Sequence, residues 1–316
     1  MTTETSHAGL GYFDLETGAE RRPLVSAIVT AFNVERYVAE TVESLLAQSY
    51  RHKELIVVND GSTDGTAAVL EEFRFEPHVR ILHQANGGSA SARNAGARAA
   101  SGEFLAFLDG DDVATARRIA APVEALAHHA EIALAYGRID LIDEGSRLLF
   151  SRSNPARYRR GWVAKHLRYR NFIPFSTITV RRDVFWQLGG FDEGIRSSED
   201  WEFLFRLTSR YPVEFLNECL VRYRVRPDSK TMDVEAKERA IRAVQHKILC
   251  GPTSEGKPLP LPPLANACRW MGLAGTLIKR GELSRALRFF LRAVRCHPGV
   301  LLIFRSEILD GLRRLA

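Results

Sequence analysis

The run Phe104-Leu105-Ala106-Phe107-Leu108 ends in Asp109-Gly110-Asp111-Asp112, an apolar stretch that stops in three carboxylates within four positions. Five residues of Phe, Leu and Ala read as a buried strand, and a buried strand cannot absorb that much negative charge. The acids must therefore emerge at the strand's carboxyl end, where open α/β sheets place their ligands. Crowded there, they repel one another unless a cation joins them. Hard oxygen ligands of this kind suit Mg2+ or Mn2+, shared with substrate phosphates. A solvated acidic turn is the competing reading, because Asp and Gly are ordinary turn residues. The segment alone does not choose between them.

The strand belongs to a longer rhythm. Residues 24–32 form a β-branched run that stops at Asn33, and residues 38–47 have the spacing of an amphipathic helix with Val38, Val42, Leu45 and Leu46 on one side. Residues 55–58 are a second strand ending at Asn59-Asp60-Gly61-Ser62, and residues 63–73 a helix with Asp64 or Thr63 as its cap. A short strand at 79–82 and an Ala-rich helix at 89–100 complete the series. Strand and helix in alternation predict a mostly parallel sheet with helices on its faces.

Beyond Asp112 the pattern predicts a helix at 115–129, a strand at 132–136, and a polar, Arg- and aromatic-rich stretch at 151–170 suited to a mobile loop or lid. A strand at 177–180, helices at 183–188 and 198–210, and two late strands at 213–216 and 220–225 follow. From Val234 the chain reads as helix, broken by the Pro-rich residues 258–263. The expected organisation is a loose tail over 1–22, an α/β domain over 23–231 and an all-helical module over 232–316.

Composition narrows the function classes. The 316 residues are 45% hydrophobic and 26% charged, as in an ordinary globular protein. Lys and Arg outnumber Asp and Glu by 44 to 38, an excess that suggests an anionic partner without implying nucleic acid. Cys219, Cys250, Cys268 and Cys296 are widely spaced with no CxxC pair, which favours reduced thiols over disulfides or zinc. The polar start lacks the apolar core of a signal peptide, and no run is long enough to span a bilayer. A cytoplasmic protein is expected, with peripheral contact at the inner face of the membrane as an open alternative.

Four further segments carry chemistry. Asp60 stands just past a strand among turn glycines, where it could accept a hydrogen bond from a base or ribose or simply help to cap a helix. Residues 86–96 are a Gly-rich loop opening a helix, a setting whose N–H groups attract phosphate, with Arg93 one turn in. Glu199, Asp200 and Glu202 cluster at a helix start, where the dipole favours acids whatever the function. Arg222, Arg224 and Arg226 alternate along a predicted strand, so they are expected on one face, as a solvated edge or as a phosphate site.

Taken in order, these blocks resemble the inverting family 2 glycosyltransferases of the GT-A fold. The resemblance rests on residues 25–33, on Val57-Val58-Asn59-Asp60-Gly61-Ser62-Thr63-Asp64-Gly65, on Ala92-Arg93-Asn94-Ala95-Gly96 and on Phe107-Leu108-Asp109-Gly110-Asp111-Asp112. Gly189-Gly190-Phe191-Asp192-Glu193 and Ser198-Glu199-Asp200-Trp201-Glu202 are similar to that family's acceptor-side blocks. The match covers about residues 23 to 229 and implies a GT-A (Rossmann-like), mixed but mostly parallel sheet flanked by helices.

The resemblance further implies donor contacts at Thr30, Ala31, Asn33, Asp60, Arg93, Asp109, Gly110, Asp111 and Arg226, with Ala31 and Asp60 near the base. It makes Asp109 and Asp111 a DxD element for Mg2+ or Mn2+, Asp200 the catalytic base, and Asp192, Glu199 and Trp201 acceptor-side residues. Asn59 replaces a common Asp, and Tyr223-Arg224-Val225-Arg226 stands where many members carry Tyr-Arg-x-His. Arg226 in that place can bind phosphate but not metal.

The implied reaction transfers a sugar from a nucleotide sugar, a UDP-sugar by expectation, to a saccharide, lipid-linked or other hydroxyl acceptor in polysaccharide or glycoconjugate synthesis. Two rivals stand beside it. A sugar-phosphate nucleotidyltransferase needs a Gly-rich basic loop after the first strand, and Thr30-Ala31-Phe32-Asn33-Val34-Glu35 is not one. A non-catalytic nucleotide-sugar-binding protein predicts binding without turnover. At the C-terminus, Gly281-Glu282-Leu283-Ser284-Arg285-Ala286-Leu287-Arg288 begins a basic helix with a dense apolar face that either packs on the catalytic domain or lies on a membrane.

Overall fold

The computed structural model describes residues 12–13, 20–226, 233–250 and 261–305. Its first half alternates strand and helix: β3 (Val25–Ala31), α1 (Val38–Leu46), β4 (Lys53–Asp60), α2 (Thr66–Glu71), β5 (Val79–Gln84), α3 (Ser89–Ala99) and β6 (Phe104–Asp109). Two short strands, β1 (Tyr12–Phe13) and β2 (Glu20–Arg21), pair antiparallel ahead of it, in what the sequence suggested was a loose tail. Residues 1–11 and 14–19 of that tail lie outside the described ones. The second half comprises β7 (Val113–Ala114), α4 (Ala120–His128), β8 (Leu134–Ile142), β9 (Leu148–Ser151), α5 (Ala164–Leu167), β10 (Thr179–Arg181), α6 (Arg182–Gln187), α7 (Glu199–Thr208) and β11 (Val213–Arg224).

The large sheet runs β5-β4-β3-β6-β10-β8-β11-β7, with β9 paired to β8. Strands β5, β4, β3 and β6 are mutually parallel, and β10 enters antiparallel between β6 and β8. After β5 the chain crosses back to the other side of β3, so the strand order reverses between β3 and β6. Ligands of such sheets settle at the carboxyl ends on either side of that switch. Here those ends are level, because Thr30 is in register with both Val58 and Asp109.

Both faces of the sheet are buried, and the period of two divides them. Val25, Ala27, Val29 and Ala31 join Val38, Val42 and Leu45 of α1 and Val123 and Leu126 of α4. Ile28, Val58, Leu105 and Phe107 join α3, α6 and α7 on the other face. Each Val, Leu, Ile or Phe among them removed from water contributes about 1.5–3 kcal/mol, and burial on both faces is why the sequence reads as near-continuous apolar runs rather than alternation. Helix α3 lies close to β3 because it is made of small residues. A Cβ at Gly96 would collide with Ile28 Cγ2.

Three expectations need correction. Residues 151–170 are not a detached lid: Tyr158, Val163 and Leu167 are buried in the core, and Tyr158 stacks on Phe215 at 4.7 Å. Apolar residues spaced among the arginines anchor that segment. The two late strands are one strand, β11, with register shifts around Cys219. Arg222, Arg224 and Arg226 do not share one environment, for Arg222 is exposed, Arg224 is 2% exposed, and Arg226 lies past the strand's end.

The C-terminal helices are α8 (Val234–Cys250), α9 (Pro263–Lys279), α10 (Leu283–Cys296) and α11 (Val300–Ile303). Of the Pro-rich break, residues 258–260 lie outside the described ones, and Pro263 opens α9, where its missing N–H costs nothing. Val244 of α8 is buried in the same core as α7, and Lys247 reaches Glu202 at 2.9 Å. Packing on the α/β body is therefore real for α8. Among the described residues, no helix is long and apolar enough to cross a membrane, and none of the four cysteines is in a disulfide.

Candidate active site

The carboxyl edge of the sheet is built by loops that satisfy one another. Asn33, in the left-handed region at φ 53°, accepts from Thr63 N at 2.8 Å and donates its own N–H to Ser62 Oγ at 3.1 Å. Asp64 accepts from Thr66 N at 3.0 Å and from Glu35 N at 3.2 Å. The turns after β3 and β4 are thus stitched into one wall, where Asn33 is exposed and Thr30 partly so, whereas the Ala31 side chain is 1% exposed and turned into the core with α1. Asp60 is 4% exposed and accepts from Gln84 Nε2, Gly87 N and Gly88 N at 2.8, 2.8 and 2.9 Å. The glycine loop's amides are therefore directed at Asp60, not outward as a phosphate cradle. That is a correction to the simple helix-terminus reading, and it leaves Asp60 with limited capacity for a further donor.

The three acids after β6 have different fates. Gly110 brings the turn against β3, donating its N–H to Thr30 O at 2.9 Å, and a Cβ there would stand 2.8 Å from that same oxygen. Asp112 is fully buried and accepts from Ser176 Oγ at 2.5 Å and from Arg224 N at 3.0 Å. It ties the turn to the end of β11 and shapes it. Burial, with repulsion from Asp111 and Asp109, pushes its carboxyl well above the usual range. Asp111 and Asp109 remain partly accessible, with 19% and 31% of their side chains exposed. Burial and the charge of Asp109 push Asp111 up to about 6, while Arg226, its ion-pair partner at 3.0 Å, opposes the rise.

Arg224 and Arg226 reach this turn from β11 and just beyond. Arg224 donates from Nε to Asp111 O at 2.8 Å and from Nη2 to Glu40 at 2.6 Å. Both guanidinium groups lie over the ring of Tyr37, at 4.8 and 5.3 Å. Arg118, which sequence reasoning passed over, is fully buried behind the site. Its guanidinium donates to Ser176 O, Thr179 Oγ1, Phe107 O and Ile178 O at 2.7–2.9 Å, and burial pushes it down to about 9. It remains charged at neutral pH and fixes the seam between β6 and β10 where the acids emerge.

Arg93 unites the two halves of the site. It is 7% exposed and lies 3.6 Å over the ring of Phe175. One nitrogen donates to Asp109 Oδ1 at 2.9 Å and the other to Glu199 Oε1, at the start of α7. Desolvation works to lower its pKa, yet Asp109, Glu199 and Asp200 outweigh that and raise it. Asp200 follows Glu199, half-buried, and accepts from Asn171 Nδ2 at 3.0 Å. Burial first and Glu199 second push its carboxyl up to about 6, with Arg93 opposing. The helix begins at Ser198 in the left-handed region, φ 66°, a conformation costing about 1–3 kcal/mol in a non-glycine residue and concentrated at functional sites.

The expected acceptor-side residues surround this point but do not all face it. Asp192 is held by Lys247 Nζ at 2.5 Å and by Gly194 N at 2.9 Å, and these hydrogen bonds lower its pKa. Trp201 is 4% exposed, and its indole donates to Leu167 O at 2.6 Å, anchoring the 151–170 segment. Glu199 is spent on Arg93. Asn171, Phe175 and Ser176, absent from the motif reading, line the site through Asp200, Arg93 and Asp112 respectively.

Among the described residues, no three His, Cys, Asp or Glu are grouped to hold a metal ion. Asp109 and Asp111 alone fit an ion that takes one or two carboxylates and completes its shell with phosphate oxygens and water, the habit of Mg2+.

Comparison with known proteins agrees with this geometry. Residues 26–189, more than half of the chain, match the model for glycosyl transferase family 2. The chain is 33% identical over 233 residues to the uncharacterized glycosyltransferase EpsJ of Bacillus subtilis, a match covering 66% of this chain and 63% of EpsJ. It therefore spans less than two thirds of that relative's length. Among solved structures, the mannosyltransferase PcManGT of Pyrobaculum calidifontis, in complex with GDP-Man and Mn2+, superposes with a TM-score of 0.58 at 18% identity, over 92% of this chain and 81% of that one. S. aureus TarS 1-349 in complex with UDP-GlcNAc does so at 0.54 and 18% identity, over 90% and 92%. These two show the shared fold. The chain belongs to glycosyl transferase family 2.

Proposed function

We propose that this chain is an inverting, metal-dependent glycosyltransferase that moves a sugar from a nucleotide sugar, a UDP-sugar, to an acceptor hydroxyl in polysaccharide or glycoconjugate synthesis. One observation carries the reading. A single buried guanidinium, Arg93, spans from Asp109 at the sheet edge to Glu199 beside Asp200, so the acids after β6 and the acids opening α7 are held together at one place. In this reading residues 23–231 carry catalysis and residues 232–316 are an accessory helical module. The neighbours' complexes with UDP-GlcNAc, and with GDP-Man and Mn2+, support a nucleotide-sugar donor and a divalent cation.

On the donor side, Thr30, Ala31, Asn33 and Asp60 border the nucleoside, while Gly110 lets the acid turn sit tightly against β3. Asp109 and Asp111 would hold Mg2+ or Mn2+, which when bound supplies Lewis-acid neutralisation of the leaving diphosphate. Arg226 adds fixed positive charge where negative charge develops. On the acceptor side, Asp200 takes the proton from the attacking hydroxyl as its oxygen bonds to the anomeric carbon and the bond to the diphosphate breaks. With a carboxyl at about 6, Asp200 is ionised at neutral pH yet a better base than an ordinary aspartate. Asn171 orients it, and Asp192, Glu199 and Trp201 shape the wall behind it. One displacement inverts the anomeric centre.

The test is a panel of UDP- and GDP-sugars with Mg2+ or Mn2+, read by release of nucleoside diphosphate and by NMR of the product anomer. Donor binding with neither hydrolysis nor transfer across a broad acceptor set would select the non-catalytic reading instead.

A further inference from the structure

Helix α10 turns its leucines outward. Leu283, Leu287 and Leu291 are 66%, 57% and 43% exposed, whereas Ala286 and Ala293 are buried against the protein with Phe289, Phe290 and Val294 packed beside them. Spacing of i, i+4 and i+8 places the three leucines on one stripe. Exposed Arg288, Arg292 and Arg295 run beside that stripe, and the whole helix holds four arginines and no Asp or Glu. Arg285 is tied to Glu282 and Arg292 lies 4.2 Å over Trp270, which leaves Arg288 and Arg295 foremost on the surface. The inner face is thus already covered by aromatic and small residues, and a helix made only to cover a core would carry no second, outward stripe of leucines.

Charge decides what covers the stripe. A second copy of the same helix would set arginine against arginine, and like charges across an interface are costly. An anionic lipid surface satisfies both features, with apolar side chains at the headgroup–acyl boundary and guanidinium groups on phosphates. The helix is also continuous with the acceptor side of the cleft. Tyr169 packs in the cluster formed by α9, α10 and α11, and Arg170 donates to Ile303 O at 3.1 Å. The next residue, Asn171, donates to Asp200.

We propose that α10 seats this protein on an anionic bilayer surface through Leu283, Leu287 and Leu291, with Arg288 and Arg295 on the lipid phosphates. This inference stands independently of the catalytic reading. Full-length protein is sedimented with vesicles of phosphatidylcholine alone or mixed with phosphatidylglycerol. The wild type should partition at least tenfold more strongly onto the anionic vesicles and lose that preference in high salt. The combined Leu283→Ser, Leu287→Ser, Leu291→Ser variant and the combined Arg288→Glu, Arg295→Glu variant should each lose at least tenfold, with unchanged circular dichroism and melting.

Failure of the wild type to partition overturns the proposal, as does undiminished partition of the leucine variant. A dimer seen by light scattering that the leucine substitutions dissolve, without effect on vesicle binding, assigns the face to a second copy. Partition that arises only after removal of residues 306–316 assigns it to that segment. Either result overturns the lipid assignment.

Discussion

Asp111 Oδ2 meets Nε of Arg226 at 3.0 Å, so the carboxylate proposed to hold a divalent cation is already paired with a cation from beyond β11. Two roles of Arg226 then separate in one variant. Arg226→Ala frees Asp111 and should leave Mn2+ affinity in the absence of nucleotide equal to or higher than wild type. The same change removes a charge from the diphosphate's surroundings and should weaken UDP binding in the presence of Mn2+ about tenfold, or about 1.4 kcal/mol. Calorimetry with each ligand alone and together measures both. Weaker Mn2+ binding by the variant would count against competition at Asp111.

Asp200→Asn should lower turnover by roughly 10²–10⁴-fold while changing donor affinity less than about threefold, because a general base acts only as the proton leaves. The amide keeps the shape and can still meet Asn171. Single-turnover transfer and donor titration of the same preparation separate the two quantities, and normal turnover would remove Asp200 from the role.

The pH profile follows from the carboxyl raised to about 6. The ionised form is the active base, so kcat/KM should climb with pH up to about 6 and level off above it. Asn171→Ala withdraws a donor that favours the ionised form, so its acid limb should move to higher pH. Stability has the opposite sign. A raised carboxyl makes the folded state bind the proton more tightly than the unfolded chain, so ionising Asp200 costs stability as pH rises from about 4 through 6. Asp200→Asn should accordingly melt higher than wild type at pH 7, and that gain should vanish near pH 4. Thermal melts at both values check it.

What the sequence disclosed and what it withheld follow different physics. The parallel strands were legible because double-sided burial leaves apolar runs, and the acids after Leu108 were legible because such a run cannot absorb them. Arg118 was not. In sequence it is half of an ordinary Arg-Arg pair, and only the pairing of β6 with β10 gathers the Ser176, Phe107 and Ile178 carbonyls that satisfy it. Asn171 was hidden for a similar reason, since it meets Asp200 across 29 positions of chain. Trp201 was visible as part of a motif, but its direction was not: the indole points at Leu167 rather than into the cleft. The loop at residues 86–88 was read through its glycines alone, whereas the partner of its amides, Asp60, comes from another strand.

Asp112 tests how far the turn depends on a residue that touches no substrate. Its two oxygens serve Ser176 Oγ and Arg224 N in a fully buried setting. Asp112→Ala removes both partners' acceptor and should destabilise by about 2–4 kcal/mol, since buried donors left unpaired carry the full desolvation penalty. Asp112→Asn should cost only about 1 kcal/mol, because its carbonyl still accepts from Arg224 N and its amide can donate to Ser176 Oγ. The carboxyl's raised pKa points the same way: the pocket disfavours a charge there, so a neutral isostere suits it. Denaturant melts of the two variants rank them. Because Arg224 also donates to Asp111 O, the alanine variant should in addition loosen the Asp111 turn and weaken Mn2+-dependent UDP binding, whereas the asparagine variant should keep it. Equal losses of nucleotide binding in both would mean that the carboxylate charge itself, and not the turn it holds, is what the donor side requires.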